Sequence, residues 1–258
     1  MVDLENAKRE FKDYLKDYDA SNPKIALKIT HTYKVVDSAE YIAKALDLNK
    51  EDYDLALLIA LLHDIGRFEQ IKLFDAYDDR KIDHAVFGVK VLFEDNLIRK
   101  FIKEDTYDDI IRKAIANHNK YKIDEEGMNE RELLHAKIIR DADKLDNFRV
   151  KEEESFVALI GKGATKENVE NSVLSDKIYK AFFTKKLINK YDRETYLDHW
   201  ISYIAFIFDM NFKASLDYIR ENDYINRSID RIDYKDPKTK EQMETIRKFA
   251  NEYIEEYK

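Results

Sequence analysis

Apolar residues recur every three or four positions along most of the chain, which is the spacing of one face of an α-helix. Leu27, His31 and Val35 follow one another at intervals of four, and Ile111 and Ile115 precede His118 on a second such face. The pattern predicts helices over about 4–18, 24–46, 49–63, 83–97, 107–118, 131–148, 166–183, 195–219 and 240–257.

Residues that begin and end helices favour the same elements. Asn22-Pro23 suits a helix start, and Asn49, with acidic residues directly behind it, is typical of a capped N-terminus. Gly66 is expected to end the helix that carries His63. The chain has only 5 Gly and 2 Pro, and the turn clusters that separate short strands are nearly absent. An all-α fold is therefore predicted.

Composition narrows the classes of protein. The 258 residues are 44% hydrophobic and 38% charged, enough for a core and for solvated helix faces. A net charge of −8 argues against duplex nucleic acid as a partner, because binding of phosphate backbones depends on a Lys/Arg surface. The longest apolar run, 55–62, is too short to cross a membrane, no secretory leader opens the chain and there is no Cys, so the cytoplasm is the expected location.

The domain organisation is predicted from where the candidate chemistry stops. Histidines and aspartates of interest end before Val150, and no convincing linker follows. We expect one domain over 1–150 and a C-terminal helical extension over 151–258 packed on it. The last helix carries an apolar face at Met243, Ile246 and Phe249, which fits either internal packing or a homodimer contact.

Four histidines and two aspartates on separate predicted helices are the candidate functional residues. They are His31, His63, Asp64, His84, His118, and one aspartate among Asp141, Asp143 and Asp146. Imidazole nitrogens and carboxylate oxygens are the usual ligands of catalytic divalent transition metals. Any single inward histidine is more often a core residue bonded to a carbonyl, but several together favour a metal site. Helical geometry does not choose among the three aspartates.

The adjacent pair His63-Asp64 carries the most weight. It closes the run Leu55–Leu62, which is apolar on all sides and must be buried. An ionised carboxylate buried there costs several kcal/mol unless it is paired or bound to a cation. A metal ion would satisfy both side chains. The alternative is a hydrogen bond between the two at a helix end.

The stretches LLHDIGRFEQ and IIRDADKLDNFR resemble the HD-domain superfamily of metal-dependent phosphohydrolases over about His31 to Arg149. By position, the resemblance makes His31, His63, Asp64 and Asp143 the core metal ligands. It adds His84 and His118 as ligands of a second ion, with Asp64 bridging; the alternative is a single ion. The implied all-α fold is an HD-domain helical bundle, and the implied cofactor is one or two ions of Mn, Fe, Co, Ni or Zn.

The implied activity is hydrolysis of a phosphomonoester or phosphodiester, of a nucleotide, with metal-bound hydroxide as nucleophile. Arg67 and Lys144 are predicted to bind the substrate phosphate, against the alternative that both are solvent-facing charges. Asn119, in the segment after His118, stands where one cyclic dinucleotide branch has Gly-Tyr-Pro, so that substrate is not implied. His135 and His199 are expected to be structural.

Two other functions share the resemblance. Di-iron oxygenases of the myo-inositol oxygenase kind use the same four-histidine, two-aspartate ligand set. A non-catalytic nucleotide-binding module on an HD scaffold would bind its ligand without turnover.

Overall fold

A computed structural model describes residues 2–77, 79 and 81–257, and within them the chain forms helices and no β-strand. The prediction of an all-α fold is confirmed. The chain divides into two compact units, one ending at Asp143 and the other beginning at Lys144. This division falls inside a helix. The domain boundary at 150 and the packing of the C-terminal extension stay predictions.

The first unit contains seven α-helices and a short π-helical turn among its described residues. They are α1 (Leu4–Leu15), α2 (Pro23–Ala45), α3 (Lys50–Leu62), α4 (Ile65–Phe74), α5 (His84–Val89), the π turn (Lys90–Glu94), α6 (Ile98–Phe101) and α7 (Asp108–Asn117). The next helix, α8 (Glu130–Glu153), contains the division between the two units.

The second unit continues, among its described residues, with seven further α-helices and two 3₁₀ turns. They are α9 (Phe156–Ile160), α10 (Lys166–Glu170), α11 (Asp176–Phe182), a 3₁₀ turn (Lys190–Asp192), α12 (Tyr196–Ile204), a 3₁₀ turn (Ala205–Asp209), α13 (Lys213–Glu221), α14 (Tyr224–Asp230) and α15 (Pro237–Glu256).

Two long predicted helices of this unit are broken. The one expected over 166–183 ends at Glu170 and restarts after Ser175, whose side chain accepts a hydrogen bond from the Ile178 amide as an N-cap. The one expected over 195–219 passes through a 3₁₀ turn and resumes at Lys213. Apolar spacing alone misses such breaks, because two consecutive short helices can keep the same inward stripe.

The first unit's core is built around α3. Every residue from Asp54 to Leu62 is buried, and α3 packs mainly against α2. This packing explains the run that is apolar on all sides. It also places His63 and Asp64, which directly follow α3, inside the protein.

Gly66 does not end a helix, contrary to the prediction. It lies in the first turn of α4, a helix absent from the predicted set. A Cβ atom at Gly66 would lie 2.3 Å from the carbonyl oxygen of His84 and 2.5 Å from the amide nitrogen of Gly88. Glycine is required here because α4 and α5 approach each other too closely for any side chain.

Within the described residues, no helix combines the length and the apolar character needed to cross a bilayer.

Candidate metal centre

Five elements of the first unit bring the candidate ligands together. His31 lies in the middle of α2, His63 and Asp64 join α3 to α4, His84 is the first residue of α5, and His118 follows α7. Each of these five side chains is at most 4% exposed to solvent. Asp143, on α8, is 20% exposed. The centre is thus almost entirely enclosed, with Asp143 as its most accessible side chain.

Asp64 divides the cluster into two groups. Its Oδ2 atom lies 3.7 Å from His31 Nε2 and 3.6 Å from His63 Nε2. Its Oδ1 atom lies 3.4 Å from His84 Nε2 and 3.8 Å from His118 Nε2. Each group of three offers ligand atoms that lie within 4.8 Å of one another. One carboxylate therefore presents one oxygen to each pair of histidines.

Backbone carbonyls fix the rings of His63 and His118. The Nδ1 atom of His63 lies 2.7 Å from the Ala60 oxygen, and that of His118 lies 2.7 Å from the Ile115 oxygen. A carbonyl only accepts, so each Nδ1 carries the proton and each Nε2 is left with a lone pair. His63 Nε2 is buried and makes no hydrogen bond within the described residues. Such a ring is oriented as a metal-binding histidine is, with its second nitrogen donating outward.

The distances in the second group fit a metal ion. His84 Nε2 lies 3.0 Å from His118 Nε2. Two nitrogen ligands at about 2.1 Å from one ion lie about 3 Å apart when they meet at a right angle. Together with the buried lone pair of His63, this spacing shows that the residues present fit a divalent ion.

The protonation states fit the same ligand role. Burial, with the neighbouring histidines His118 and His31, lowers the pKa of His63 to about 3. Burial and the nearby Arg67 lower the pKa of His84 to about 4. Both imidazoles are therefore neutral near pH 7, the form that binds metal.

The two carboxylates are ionised under the same conditions. Burial opposes ionisation of Asp64, but Lys28 and the surrounding histidines hold its pKa well below the usual value. Burial likewise opposes ionisation of Asp143, and its hydrogen bond with His31 holds its pKa below the usual range. The cluster thus combines neutral imidazoles with anionic carboxylates.

The structure places two of the three aspartates that helical geometry left open. Asp143 Oδ1 lies 3.1 Å from His31 Nε2 and 4.0 Å from His63 Nε2. Asp146 forms an ion pair with Arg149, at 2.6 Å, within the second unit. Asp143 therefore joins the histidines, in the position that the family resemblance implies.

The predicted phosphate-binding residues have other partners. Arg67 Nη1 donates to Asp79 Oδ1 at 2.7 Å and to Gln70 Oε1 at 2.6 Å. Lys144 forms an ion pair with Asp209, at 2.9 Å, within the second unit. The placement of Arg67, 3.9 Å from Asp64 Oδ1 through its Nε, keeps it beside the centre. A phosphate-binding role stays a prediction for both.

The sequence interpretation missed Lys28 and Asp79. Lys28 Nζ lies 2.6 Å from Asp64 Oδ2 and is only 17% exposed. Its position three residues before His31 on the same helix was a signal that could have found it. Asp79 accepts a hydrogen bond from His84 Nδ1 at 2.8 Å, but it lies in an irregular connection whose sequence carries no periodic signal.

His135 lies outside the cluster. Its Nε2 atom lies 3.0 Å from Asp52 Oδ1, and the ring is almost completely buried between α8 and the start of α3. This contact ties two helices together, consistent with the expected structural role.

Comparison with protein families shows that the model of the HD domain matches residues 29–147. No curated protein and no solved structure matched the chain. The matched segment runs from just before His31 to just after Asp146, so all six candidate ligands lie inside it.

Proposed function

Since the chain belongs to the HD-domain superfamily, we propose that it is a metal-dependent phosphohydrolase that cleaves a phosphomonoester or phosphodiester of a nucleotide. The observation that carries the proposal is the position of Asp64, whose two oxygens face two different pairs of buried histidines. This arrangement supports a centre for two divalent ions with Asp64 between them. His31, His63 and Asp143 would hold one ion, and His84 and His118 the other.

When bound, divalent ions supply a Lewis acid for phosphoryl oxygens and lower the pKa of water toward neutrality. The protein's own contribution begins with charge. Two ionised carboxylates face four histidines, of which burial keeps His63 and His84 neutral near pH 7, so the ligand set suits divalent cations better than it suits a bare phosphate anion. An anionic substrate can therefore approach only after the negative charge has been neutralised.

Lys28 and Arg67 supply positive charge at the edge of the centre. Lys28 Nζ contacts Asp64 directly, and Arg67 Nε lies 3.9 Å from the same carboxylate. Both cations can orient phosphoryl oxygens and stabilise the charge that develops on them during hydrolysis.

Tyr77 contacts both of these cations. Its ring centroid lies 5.7 Å from Lys28 Nζ and 5.9 Å from Arg67 Cζ. Both cations lie over the ring, so cation–π contacts with Tyr77 help to hold them at the edge of the centre. The net charge of −8 argues against duplex nucleic acid as the substrate.

The test is phosphate release from a panel of nucleoside phosphates and simple phosphate esters, with the protein loaded with Mn²⁺ or treated with a chelator. We expect metal-dependent release for the wild type and loss of both bound metal and release in Asp64→Ala. Asp37→Asn, an exposed substitution elsewhere on α2, is the control and should keep full activity.

Two results would contradict the proposal. A folded Asp64→Ala variant that keeps full activity would show that the site takes no part in the reaction. Dioxygen consumption by the iron-loaded protein, without phosphate release from any ester, would favour the oxygenase alternative.

A further inference from the structure

Asp79 connects two parts of the centre that sequence motifs treat separately. Its Oδ1 atom accepts hydrogen bonds from His84 Nδ1 at 2.8 Å and from Arg67 Nη1 at 2.7 Å, and its Oδ2 atom accepts from Arg67 Nη2 at 3.2 Å. Gln70 adds a third donor to Oδ1, at 3.3 Å. One carboxylate thus contacts both a candidate metal ligand and a candidate phosphate-binding residue.

The connection that carries Asp79, between α4 and α5, is held in place on both sides. Gln70, which is fully buried, donates to the Ile82 carbonyl at 2.8 Å. The Tyr77 hydroxyl donates to the Lys24 carbonyl at 2.8 Å, and Asp75 pairs with Lys24 at 2.7 Å. These contacts fix described residues on either side of Asp79, and the carboxylate itself is held by His84, Arg67 and Gln70.

Asp79 determines which nitrogen of His84 faces the centre. Because an ionised carboxylate only accepts, the Nδ1 atom of His84 must carry the proton, and the Nε2 lone pair then points toward Asp64 and His118. His63 and His118 are oriented in the same sense by neutral carbonyls. An anionic partner makes the His84 ring a stronger base and a better ligand than a carbonyl would.

Asp79 also determines which donor of Arg67 remains available. Both terminal nitrogens of the guanidinium are engaged, by Asp79 and Gln70. The Nε atom is buried, makes no hydrogen bond within the described residues and lies 3.9 Å from Asp64 Oδ1. A buried charged donor without an acceptor is costly, and a phosphoryl oxygen beside Asp64 would satisfy it.

We propose that Asp79 is a positioning residue with two roles. It orients His84 so that the Nε2 atom faces the metal centre, and it holds the terminal nitrogens of Arg67 so that the Nε–H group is the one that faces a phosphoryl oxygen. The part that concerns Arg67 rests on the proposed function, whereas the part that concerns His84 requires only that the centre binds metal. A phosphate would then receive a single directed hydrogen bond from Arg67. The terminal nitrogens stay with Asp79.

Two substitutions separate the two roles. Asp79→Asn keeps an oxygen that can accept from His84 Nδ1, but it loses the negative charge that holds Arg67. Asp79→Ala removes both contacts. Asp75→Asn is the matched control, because Asp75 lies in the same connection, pairs with Lys24 and Asn22 and has a left-handed backbone that asparagine tolerates.

The first readout is calorimetric titration of the chelator-treated protein with Mn²⁺, which needs no turnover. We expect Asp79→Ala to weaken binding at the His84–His118 group about 10- to 100-fold, and Asp79→Asn to weaken it only a few fold. The second readout is titration of the Mn²⁺-loaded protein with inorganic phosphate. Asp79→Asn and Arg67→Lys should each weaken phosphate binding about tenfold, as expected for one lost charge-assisted hydrogen bond.

The outcomes separate this inference from the proposed function. If the wild type hydrolyses no ester but the Asp79 variants bind Mn²⁺ more weakly as expected, the proposed function is contradicted and the role of Asp79 toward His84 stands. A folded Asp79→Ala variant that binds Mn²⁺ and phosphate like the wild type would overturn the inference, whatever the enzyme hydrolyses. Equal losses in Asp75→Asn would also overturn it, by showing that the whole connection rather than the Asp79 carboxylate is responsible.

Discussion

His84 and His118 face each other through their Nε2 atoms at 3.0 Å, although each ring already uses Nδ1 as its hydrogen-bond donor. When neither Nε2 atom carries a proton, the two nitrogens at this distance repel each other through their lone pairs. A cation between them removes the repulsion, and a divalent metal does so without protonating a buried ring.

Metal binding is therefore expected to stabilise the protein strongly. At an ion concentration 100 times the Kd, the free energy of unfolding should rise by about 2.7 kcal/mol, and Tm by several degrees. Thermal melts with Mn²⁺, and after chelation and dialysis, measure this change. The His118→Ala variant should show a smaller rise; an equal rise would mean that the ion binds elsewhere.

The Lys28 ammonium group neutralises Asp64 in part, as a bound metal ion would. Substituting Lys28→Met leaves a buried carboxylate without its ammonium partner, so the chelated protein should lose on the order of 3 kcal/mol of stability. Bound metal would offset much of that loss, and the increase of Tm on adding Mn²⁺ should be larger in the variant than in the wild type. Lys24→Met, which breaks the more exposed pair with Asp75, is the control and should leave the increase unchanged.

The close approach of α4 and α5 predicts the effect of a methyl group at Gly66. Gly66→Ala should destabilise the protein by about 2–3 kcal/mol and weaken metal binding, since the new Cβ would push against the backbone of His84. Gly88→Ala is the matched comparison, because its Cβ would lie at 3.3 Å or more from its neighbours. Chemical denaturation and Mn²⁺ titration of both variants provide the test; equal effects would refute the steric explanation.

The burial of His135 predicts a pH dependence of the free energy of unfolding that does not involve the metal centre. Burial lowers the pKa of His135 below its unfolded value of 6.5, despite the favourable contact with Asp52. The unfolded chain therefore binds this proton first as the pH falls, and stability is lost from about pH 6.5 down toward the folded pKa. In His135→Gln the slope of unfolding free energy against pH should decrease by up to about 1.4 kcal/mol per unit in that window. Urea denaturation at pH 7.5, 6.5 and 5.5 measures it, and an unchanged slope would contradict the burial argument.

The sequence predicted the helices in which apolar residues recur at a regular spacing. Helices α2, α3 and α8 are predicted from long apolar stripes and from capping residues. Asn22 and Asn49 cap α2 and α3 as expected. The histidines were found because each lies on such a stripe or next to a buried run. Family resemblance was needed to choose Asp143 over Asp141 and Asp146, since all three lie near the same helix edge.

What the sequence could not predict depends on contacts between distant segments. Gly66 looked like a helix end because the residue type is common there, and only the position of α5 shows why glycine is needed. Asp79 lies in an irregular connection, and its contact with His84 depends on how that connection folds back. The engagement of Arg67 with Asp79 and Gln70 follows from the same fold, so its donor geometry could not be read from spacing.

We propose that Asp64 joins two metal-binding groups in a phosphohydrolase. The most direct measurement combines metal content with phosphate release, in the wild type and in Asp64→Asn, which keeps the size of the side chain. We expect two Mn²⁺ ions per chain and metal-dependent phosphate release for the wild type, and loss of both in the folded variant. Wild-type metal content and phosphate release in Asp64→Asn would contradict it.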